Sequence, residues 1–398
     1  MVRFAKINDL ITDKISGEWG EEVNGEPGVN VLRTTNFTNQ GSLNLQLVVK
    51  RKIHQDLVIK KKLFKGDVII EKSGGSPSQP VGRVVYFDIE DQDYLCNNFT
   101  AVLRPSKEVY PKYFFYALYF LHLTKRTLRY QNKTTGILNL KLDRYLEEEK
   151  IKVPALAIQK EIVRILGEAD IARQKRKAAN ALTDKFLQST FLSMFGDLIT
   201  NDKNWRSEPL DSIALVNSGV TKGRNLNDAA KISVPYMRVA NVQDGRLDLS
   251  EIKEIEIKEG ELDKYLLQSG DILLTEGGDP DKLGRGAVWY NQISNCIHQN
   301  HIFRVRADKE VLSPEFLSFQ FGSQYGKQYF LKAAKQTTGI ASINSTQLKA
   351  FPVLIPPIQL QLKFASIVAD TEQLRQKQKQ SEMELENLFQ SLLQKYFS

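Results

Sequence analysis

Carboxylates and histidines are the side chains of this sequence that could carry catalysis or hold a metal ion. Asp67, Glu71 and Lys72 are similar in type to the carboxylate cluster of a nuclease, but the Glu-x-Lys spacing of such a site is absent. The matching place in the second half of the chain carries Asp271 and Glu276. The surface of a β-hairpin explains both groups better than a catalytic site does.

The histidines and the glycine-rich stretches also argue against catalysis. His298 and His301 lie three positions apart in a strand-like stretch, and residues so spaced on a strand point to opposite faces, so we expect no shared metal ion. Residues 219–223 lack the spacing of a phosphate-binding loop, and residues 74–77 do not open a helix after a strand as a dinucleotide site requires. We expect a binding protein with no catalytic residue and no metal site.

The composition is typical of a soluble globular protein. Of 398 residues, 41% are hydrophobic and 26% are charged, and the length suggests two or three domains. The two cysteines, Cys96 and Cys296, form no CxxC pair, which excludes zinc fingers and a disulfide framework. The N-terminus has no apolar signal core, and the longest apolar run, residues 113–121, is too short to span a bilayer. We expect a cytoplasmic protein with no membrane partner.

The charge balance is basic. The chain carries 55 Lys and Arg against 47 Asp and Glu, a net charge of +8. A positive excess favours a polyanionic partner such as DNA. Many basic cytosolic proteins bind no nucleic acid, so the charge alone decides nothing.

The chain repeats itself. Residues 63–70 match residues 267–274, and residues 134–137 match residues 337–340. Gly17 and Gly219, Leu156 and Ile358, and Gln188 and Gln390 are each separated by 202 positions. A separation that returns to one value across a whole half predicts a tandem duplication, with halves of about 1–196 and 197–398.

Each half predicts the same order of elements. Short alternating runs at 81–87 and 100–104, and at 287–290 and 301–306, indicate strands. Helical stretches follow at 111–129 and 314–332, then a Thr-Thr-Gly turn, a proline stop signal and a long helix. The long helices are predicted at about 158–195 and 360–397, where Gly167 is the only glycine and no proline occurs.

The long helices carry an apolar stripe with alternating spacings of three and four residues. The residues that we expect at the interface between the helices or with partner subunits are Ile162, Ile165, Phe186, Phe364, Ile367, Leu374, Leu385 and Leu388. Such spacing favours coiled-coil packing. Both stripes turn polar in the middle, at Arg176 and Gln378. Antiparallel helices bring these polar centres together, so we expect an antiparallel pair. A helix of about 35 residues is roughly 50 Å long, which compares with about 34 Å between DNA half-sites one helical turn apart.

The ordered motifs resemble those of a known family. Gly-Asp-Val-Ile at 66–69 and Gly-Asp-Ile-Leu at 270–273, the Thr-Gly turns, and the helices opened after Pro at Gln159 and Gln361 together resemble the specificity subunit of type I restriction–modification systems. The resemblance covers essentially the whole chain. One departure is that Ile158 and Leu360 stand where the family usually has Glu.

The resemblance implies an α+β fold with two similar mixed α/β target recognition domains, separated by two long antiparallel helices that form a coiled coil with pseudo-two-fold symmetry. We expect the domains at 1–152 and 201–352, the central helix at 153–200 and the C-terminal helix at 353–398. It also implies duplex DNA, two methyltransferase subunits and restriction–translocation subunits as partners. S-adenosylmethionine, ATP and Mg²⁺ would be bound by those partners and not by this chain.

On this interpretation, each domain reads one half of a split DNA sequence. Phosphate contacts supply affinity, and base contacts supply specificity. The candidate phosphate ligands are Lys72, Arg83, Lys133, Arg285 and Lys335, with Thr134, Thr135, Thr337 and Thr338 of the two turns. The candidate base readers are Arg33, Asn36, Arg238, Asn241, Asn300 and Gln336, since Arg suits guanine and Asn or Gln suits adenine. The halves differ outside the matched motifs, which predicts two unlike half-sites.

Two alternatives stay open. The duplication and the basic charge also permit a scaffold whose two domains bind proteins or RNA. A specificity subunit could also serve a system that only methylates, or one with a fused nuclease, because that difference lies in the partners.

Overall fold

A computed structural model of the chain describes residues 3–25, 27–76, 79–134, 137–226, 230–278, 283–337 and 340–398. The side chains at 133, 134, 184, 336, 337 and 340 are also outside the description. The chain divides into two compact units, called here unit 1 (Met1–Lys177 with Gln380–Ser398) and unit 2 (Ala178–Lys379). The predicted domain boundaries stay predictions.

Unit 1 is built from short strands and three helices that precede the first long helix. Its strands are β1 (Arg3–Lys6), β2 (Ile11–Ser16), β3 (Val29–Leu32), β4 (Val49–Arg51), β5 (Val68–Glu71), β6 (Ser73–Gly75), β7 (Val84–Tyr86), β8 (Tyr94–Cys96), β9 (Thr100–Pro105), β10 (Gln131–Thr134), β11 (Ile137–Leu140) and β12 (Lys150–Val153). Its helices are α1 (Gln55–Lys61), α2 (Pro111–Leu123) and α3 (Leu142–Glu148), and the long helix α4 (Leu156–Phe195) continues into unit 2.

Unit 2 repeats the pattern. Its strands are β13 (Arg206–Pro209), β14 (Ala214–Ser218), β15 (Lys231–Met237), β16 (Val242–Gln243), β17 (Arg246–Leu247), β18 (Lys253–Lys258), β19 (Ile272–Thr275), β20 (Gly277–Gly278), β21 (Gly286–Val288), β22 (Ile297–His298), β23 (Ile302–Ala307), β24 (Lys335–Thr337), β25 (Ile340–Ser342) and β26 (Pro352–Ile355). Its helices are α5 (Leu262–Tyr265), α6 (Pro314–Gly322), α7 (Gln324–Ala333) and α8 (Ser345–Lys349), and the long helix α9 (Ile358–Phe397) ends in unit 1.

The sheets of the two units correspond strand by strand. The four-stranded sheet β2-β9-β5-β7 of unit 1 has the same order as β14-β23-β19-β21 of unit 2. The three-stranded sheets β4-β3-β8 and β18-β15-β22 each contain one parallel pair, β3 with β8 and β15 with β22. Two further three-stranded sheets, β10-β11-β6 and β24-β25-β20, also match. The predicted duplication and the mixed helix and strand fold are therefore confirmed.

Helix α2 of unit 1 accounts for the long apolar run at residues 113–121. Proline at its first position suits a helix start, and every residue from Tyr113 to Leu121 is buried. Tyr113 packs on Phe397 and Tyr116 on Phe389, so α2 lies between its sheet and the end of α9. The predicted helix at 314–332 of unit 2 is broken into α6 and α7 at Ser323, whose hydroxyl caps α7 at the Gly326 N–H.

The long helices are antiparallel within each unit. In unit 2 the Gln378 amide donates to the Thr183 hydroxyl at 2.9 Å, while Phe364, fourteen positions earlier, packs on Phe191. Because one helix ascends in number as the other descends, the two run in opposite directions. In unit 1 Arg173 forms an ion pair with Glu386 at 2.7 Å.

The predicted stripe has two residues in each seven-residue repeat. The burial of one of them agrees with the prediction, and the other is more exposed than predicted. Ile162 and Phe364 are buried as predicted, and Ile165, Ile367 and Leu385 are half-buried. Phe186, Leu374 and Leu388 are 53%, 48% and 50% exposed, which corrects their assignment to the helix interface. The buried residues run four then three residues apart, as in Ile162, Leu166 and Ala169. At 186–187 and 388–389 both residues are apolar, so side-chain type alone does not choose between the two phases.

The glutamine that opens each long helix has a structural role. Gln159 is buried; its side-chain carbonyl accepts from the Tyr110 N–H at 2.7 Å, and its amide donates to the Pro154 carbonyl at 2.8 Å. Gln361 makes the same pair of bonds with Ser313 and Pro356. A buried amide whose donors and acceptor are all used fixes the chain on either side of it. Each glutamine therefore ties the start of its helix to its recognition domain. Among the residues described, no helix is long and apolar enough to cross a membrane.

Candidate nucleic-acid interface

Predicted contact residues lie around one arrangement of backbone hydrogen bonds. This arrangement, called here the frame, occurs once in each unit. In unit 1 the Lys72 N–H donates to the Phe99 carbonyl at 2.9 Å, and the Leu140 N–H donates to the Lys72 carbonyl at 2.8 Å. In unit 2 the Glu276 N–H donates to the His301 carbonyl at 3.0 Å, and the Ile343 N–H to the Glu276 carbonyl at 2.9 Å. Lys72 and Glu276 thus occupy the same place, between the large sheet and the sheet β10-β11-β6 or β24-β25-β20.

Close backbone approach explains one glycine of each frame. A Cβ atom on Gly17 would lie 1.9 Å from the Asn97 carbonyl oxygen, and one on Gly219 would lie 1.9 Å from that of His298. No other residue type fits there without moving the neighbouring strand. These glycines, 202 positions apart, therefore belong to the scaffold.

Only some of the predicted turn residues lie in the described part of the chain. Thr135 and Thr338 lie outside the described residues, as do the side chains of Lys133, Thr134, Gln336 and Thr337. The Lys335 side chain is exposed in β24. Lys72 is half-buried, and its ammonium donates to the Ser16 hydroxyl at 3.3 Å. Their DNA contacts stay predictions.

The repeated Arg-x-x-Asn motif is a scaffold element, which corrects the assignment of Asn36 and Asn241 as base readers. Both asparagines are buried, at 1% and 3% exposure. Each Oδ1 accepts the main-chain N–H of the arginine three residues earlier, at 2.8 Å in unit 1 and 2.9 Å in unit 2. Each Nδ2 donates to a carbonyl, that of Asn44 or of Asp248. No polar atom of these side chains is left for a base edge.

The arginines differ between the units in a reciprocal way. Arg83 is buried and donates to both oxygens of Glu71 at 2.9 Å, so its charge is neutralised and its assignment as a phosphate ligand is corrected. The matching Arg285 is half-buried and reaches the amide oxygen of Gln243 at 3.3 Å. Among the described residues, no carboxylate lies within ion-pair distance of Arg285. An arginine that no described carboxylate neutralises is called open here.

In the other matched pair, Arg33 and Arg238, the arginine of unit 2 is the neutralised one. Arg238 in unit 2 lies 3.2 Å from a carboxylate oxygen of Glu251. The hydrogen bond from Arg238 lowers the pKa of Glu251, so the carboxylate stays charged at neutral pH. Arg33 in unit 1 donates to the Leu47 carbonyl at 3.2 Å and has no carboxylate partner in the part of the chain that the structure describes. Of these two matched pairs, Arg83 and Arg238 are neutralised. Arg33 and Arg285 have no carboxylate partner among the described residues.

Near the turn before β23 in unit 2, His301 and Glu276, which were not among the predicted DNA contacts, lie beside the predicted base reader Asn300. His301 Nδ1 lies 2.7 Å from Glu276 Oε2, and its Nε2 lies 3.4 Å from Asn300 Nδ2. Asn300, a predicted base reader, is half-buried beside them. His298 faces the other way: it is fully buried, its Nδ1 is 2.9 Å from the Ile302 carbonyl oxygen, and burial lowers its pKa to about 4. His298 ends β22 and His301 lies in the turn before β23, so the predicted alternation along a single strand is not what separates them.

Comparison with known proteins matches both halves of the chain. The sequence profile of the type I restriction modification DNA specificity domain matches residues 6–181 and again residues 202–387. The chain belongs to the type I restriction–modification DNA specificity family. Its fold and its duplicated recognition domains are those of a type I specificity subunit, so that prediction is confirmed, and the scaffold alternative is not favoured.

Relatives of this specificity subunit match along most of their length. It is 28% identical over 365 residues to the EcoKI specificity subunit of Escherichia coli K12, covering 84% of this chain and 75% of the relative. It is 25% identical over 367 residues to the StySPI specificity subunit of Salmonella potsdam, covering 86% and 74%. The crystal structure of the type I S subunit from M. genitalium superposes over 100% of this chain and 96% of that chain, with a TM-score of 0.56 at 16% identity. The last likeness shows the fold.

Proposed function

We propose that each unit of this specificity subunit reads one half of an asymmetric, split duplex DNA sequence. The observation that carries the proposal is the frame shared by the two units, which holds Lys72 in one and Glu276 in the other. A repeated backbone with unlike side chains is what two readers of different sequences require, because base edges are distinguished by the donors and acceptors that meet them. The long helices would set the length of the unread spacer.

The phosphate contacts of the proposal follow from the open cations. Arg33 in unit 1, and Arg285 and Lys335 in unit 2, are cations that no described carboxylate neutralises. Cations of this kind release counterions from DNA and supply the affinity that does not depend on sequence. Asn300 remains a candidate base reader.

Exposed apolar side chains on the long helices support docking of two methyltransferase subunits. In unit 2, Leu182, Phe186 and Leu192 of α4 are at least half exposed, and in unit 1 so are Met383 and Leu388 of α9. Apolar side chains grouped on a helix surface mark an interaction face. Phe186 and Leu388 are separated by 202 positions, so this one exposed apolar place is repeated in the two units.

The remaining roles belong to the assembled enzyme. We propose that this chain performs no catalysis, that its partners include restriction–translocation subunits, and that S-adenosylmethionine, ATP and Mg²⁺ bind to the partners. The proposed complex acts in the cytoplasm, where host DNA is methylated and unmodified incoming DNA is cleaved.

A domain exchange tests the reading of half-sites. Residues 201–352 are replaced by the corresponding domain of another specificity subunit, and the complex with its methyltransferase subunit is expressed in a host whose methylated sequences are then determined. We expect one half of the methylated sequence to change and the other half to persist. Exchange of residues 1–152 is the matched control and should change the other half. An unchanged sequence after both exchanges would overturn the proposal.

A deletion in both helices tests the ruler. Removing residues 175–181 and 377–383 takes seven residues from matching places, which preserves the seven-residue repeat of buried positions. The helices shorten by about 10 Å, so we expect a spacer shorter by a few base pairs with both half-sites unchanged. An unaltered spacer in a folded, active complex refutes the ruler.

A further inference from the structure

One place in the frame carries opposite chemistry in the two units. In unit 1, Lys72 is hydrogen-bonded through its backbone to Phe99, and the Phe99 ring is 43% exposed. In unit 2 the same backbone bond joins Glu276 to His301. A cation beside an aromatic ring is thus replaced by a carboxylate beside an imidazole. The buried residue just before each of them, Glu71 or Thr275, points into the core, so strand alternation directs Lys72 and Glu276 outward.

In unit 2, one carboxylate oxygen of the partly exposed Glu276 side chain is held by a histidine. His301 Nδ1 lies 2.7 Å from Glu276 Oε2. Asn300 Nδ2, a donor, lies 3.4 Å from His301 Nε2, which assigns the proton of the neutral ring to Nδ1. Asn300, His301 and Glu276 therefore form a chain of donors that ends on Oε2. Within the described ranges, no Lys or Arg lies within ion-pair distance of Glu276, and no donor is bonded to its Oε1.

A carboxylate on a DNA-binding surface can contact only a few groups of DNA favourably. It repels phosphates, so it does not add affinity for the backbone. It accepts a hydrogen bond from the exocyclic amino group of a base, chiefly that of cytosine in the major groove. Lysine at the same place instead donates to the guanine acceptors, and an exposed phenyl ring contacts the thymine methyl group.

We propose that this place determines the difference between the two half-sites, an inference that rests on the proposed function. Glu276 accepts from an exocyclic base amino group in the half-site of unit 2, and His301 is its positioning residue. Lys72 and Phe99 meet an acceptor and a methyl edge in the half-site of unit 1. The two half-sites therefore differ at the base pair that lies against this place.

The first experiment replaces the charge of Glu276 and keeps its shape. The purified complex of this chain with its methyltransferase subunit is titrated against duplexes in which each base pair of both half-sites is varied in turn. For Glu276→Gln we expect a loss of discrimination of about 10- to 100-fold at one base pair of one half-site. Affinity for DNA without the target sequence should rise, because a repulsive charge is gone. Glu256→Gln, on exposed β18, is the matched control and should change neither quantity.

The second experiment separates positioning from general structure. His301→Phe should relax discrimination at the same base pair as Glu276→Gln, and His301→Gln, which keeps a donor, should restore most of it. In unit 1, Lys72→Gln should lower affinity for all DNA and relax one base pair of the other half-site. The opposite responses of non-target affinity in the Lys72 and Glu276 variants are not expected of residues with a merely structural role.

The outcomes distinguish this inference from the proposed function. If the unaltered chain directs methylation to a split sequence but neither Glu276→Gln nor Lys72→Gln changes discrimination at any base pair, the pair does not read bases and the inference is overturned. A variant that alters only the salt dependence equally for all sequences assigns the residue to phosphate contact and also overturns it. If the unaltered complex methylates no split sequence, the proposed function itself fails.

Discussion

The two units share a scaffold and differ at its rim. In unit 1 the buried Asp67 carboxylate is held by Arg104 at 2.9 Å, and in unit 2 Asp271 is held by Arg306 at 2.6 Å. Each carboxylate also accepts a main-chain N–H three residues earlier. At the rim, by contrast, the outward-facing Lys72 of unit 1 is matched by Glu276 in unit 2.

This contrast shows how a duplicated recognition domain changes its target without losing its fold. The polar pairs that close turns are repeated, because a buried charge without its partner destabilises the domain by several kcal/mol. Side chains that reach outward from the same backbone are free to differ, since water satisfies them in the absence of DNA. The differences between units are therefore a better guide to readers than the matches.

The buried ion pair of unit 1 gives the largest expected effect. Glu71→Ala leaves the Arg83 guanidinium buried without its carboxylate, so we expect the free energy of unfolding of unit 1 to fall by about 3–5 kcal/mol. The matched change in unit 2, Thr275→Val, removes a buried hydroxyl that has no hydrogen-bond partner and should change stability by less than about 1 kcal/mol. Hydrogen exchange measured peptide by peptide resolves the two units. A loss below 1 kcal/mol for Glu71→Ala would show that the pair is not stabilising.

The long helices should respond alike in both units. Leu187→Ala in unit 2 and Phe389→Ala in unit 1 remove buried side chains at matching places, and each should cost about 2–5 kcal/mol. The neighbouring exposed changes, Phe186→Ala and Leu388→Ala, should cost about 0.5 kcal/mol or less in the isolated chain. Chemical denaturation measures both. Equal costs for Phe186 and Leu187 would restore the phase predicted from the sequence.

The architecture could be predicted from the sequence because repeats and residue periodicity are visible in one chain. The 202-residue separation, the strands near 100–104 and 301–306, and the two long helices were all predictable, and the structure contains them as β9, β23, α4 and α9. Periodicity and repetition are properties of the residues themselves. The helix phase was not predictable, because Phe186 and Leu187 are both apolar and only packing against the partner helix decides between them.

The candidate site was harder to predict, for a physical reason. Asn36, Asn241 and Arg83 are residue types that read DNA, and the same types also cap turns and neutralise buried carboxylates. Polarity does not reveal whether a side chain points inward. Repetition was the available signal for the asparagines, since Asn36 and Asn241 are present in both halves and serve the shared scaffold. The unlike pair Lys72 and Glu276 is the one that we propose reads the two half-sites.

A fall in pH should destabilise both units, each through a buried histidine, and one substitution should remove the effect in unit 2 alone. Burial lowers the pKa of His298 from 6.5 to about 4, so below pH 6.5 the unfolded state gains a proton that the folded state does not. Stability contributed at neutral pH is therefore lost as the pH falls from 6.5 toward 4, by about 2 kcal/mol at pH 5. His298→Cys places in unit 2 the side-chain type of Cys96 in unit 1. It should flatten this part of the pH dependence in unit 2, as measured by hydrogen exchange at pH 7 and pH 5.

The peptides of unit 1 are the internal control for that experiment. Their pH dependence comes in part from His122, whose pKa burial also lowers to about 4, and it should not change in the His298→Cys protein. If unit 2 keeps its full loss of stability at pH 5, His298 is not the group that binds the proton.

The smallest expected effect concerns the open and neutralised arginines. Arg285→Gln removes a cation with no carboxylate partner among the described residues, so the slope of log affinity for DNA against log salt should fall by about 0.9, the value of one phosphate contact. Arg238→Gln in the same unit removes a cation that Glu251 already neutralises, and its slope should change by less. In unit 1 the ranking reverses, with Arg33→Gln above Arg83→Gln. Equal slopes for Arg285→Gln and Arg238→Gln would show that neutralisation inside the protein does not decide which arginine meets a phosphate, and the charge difference between the units would then have no bearing on DNA affinity.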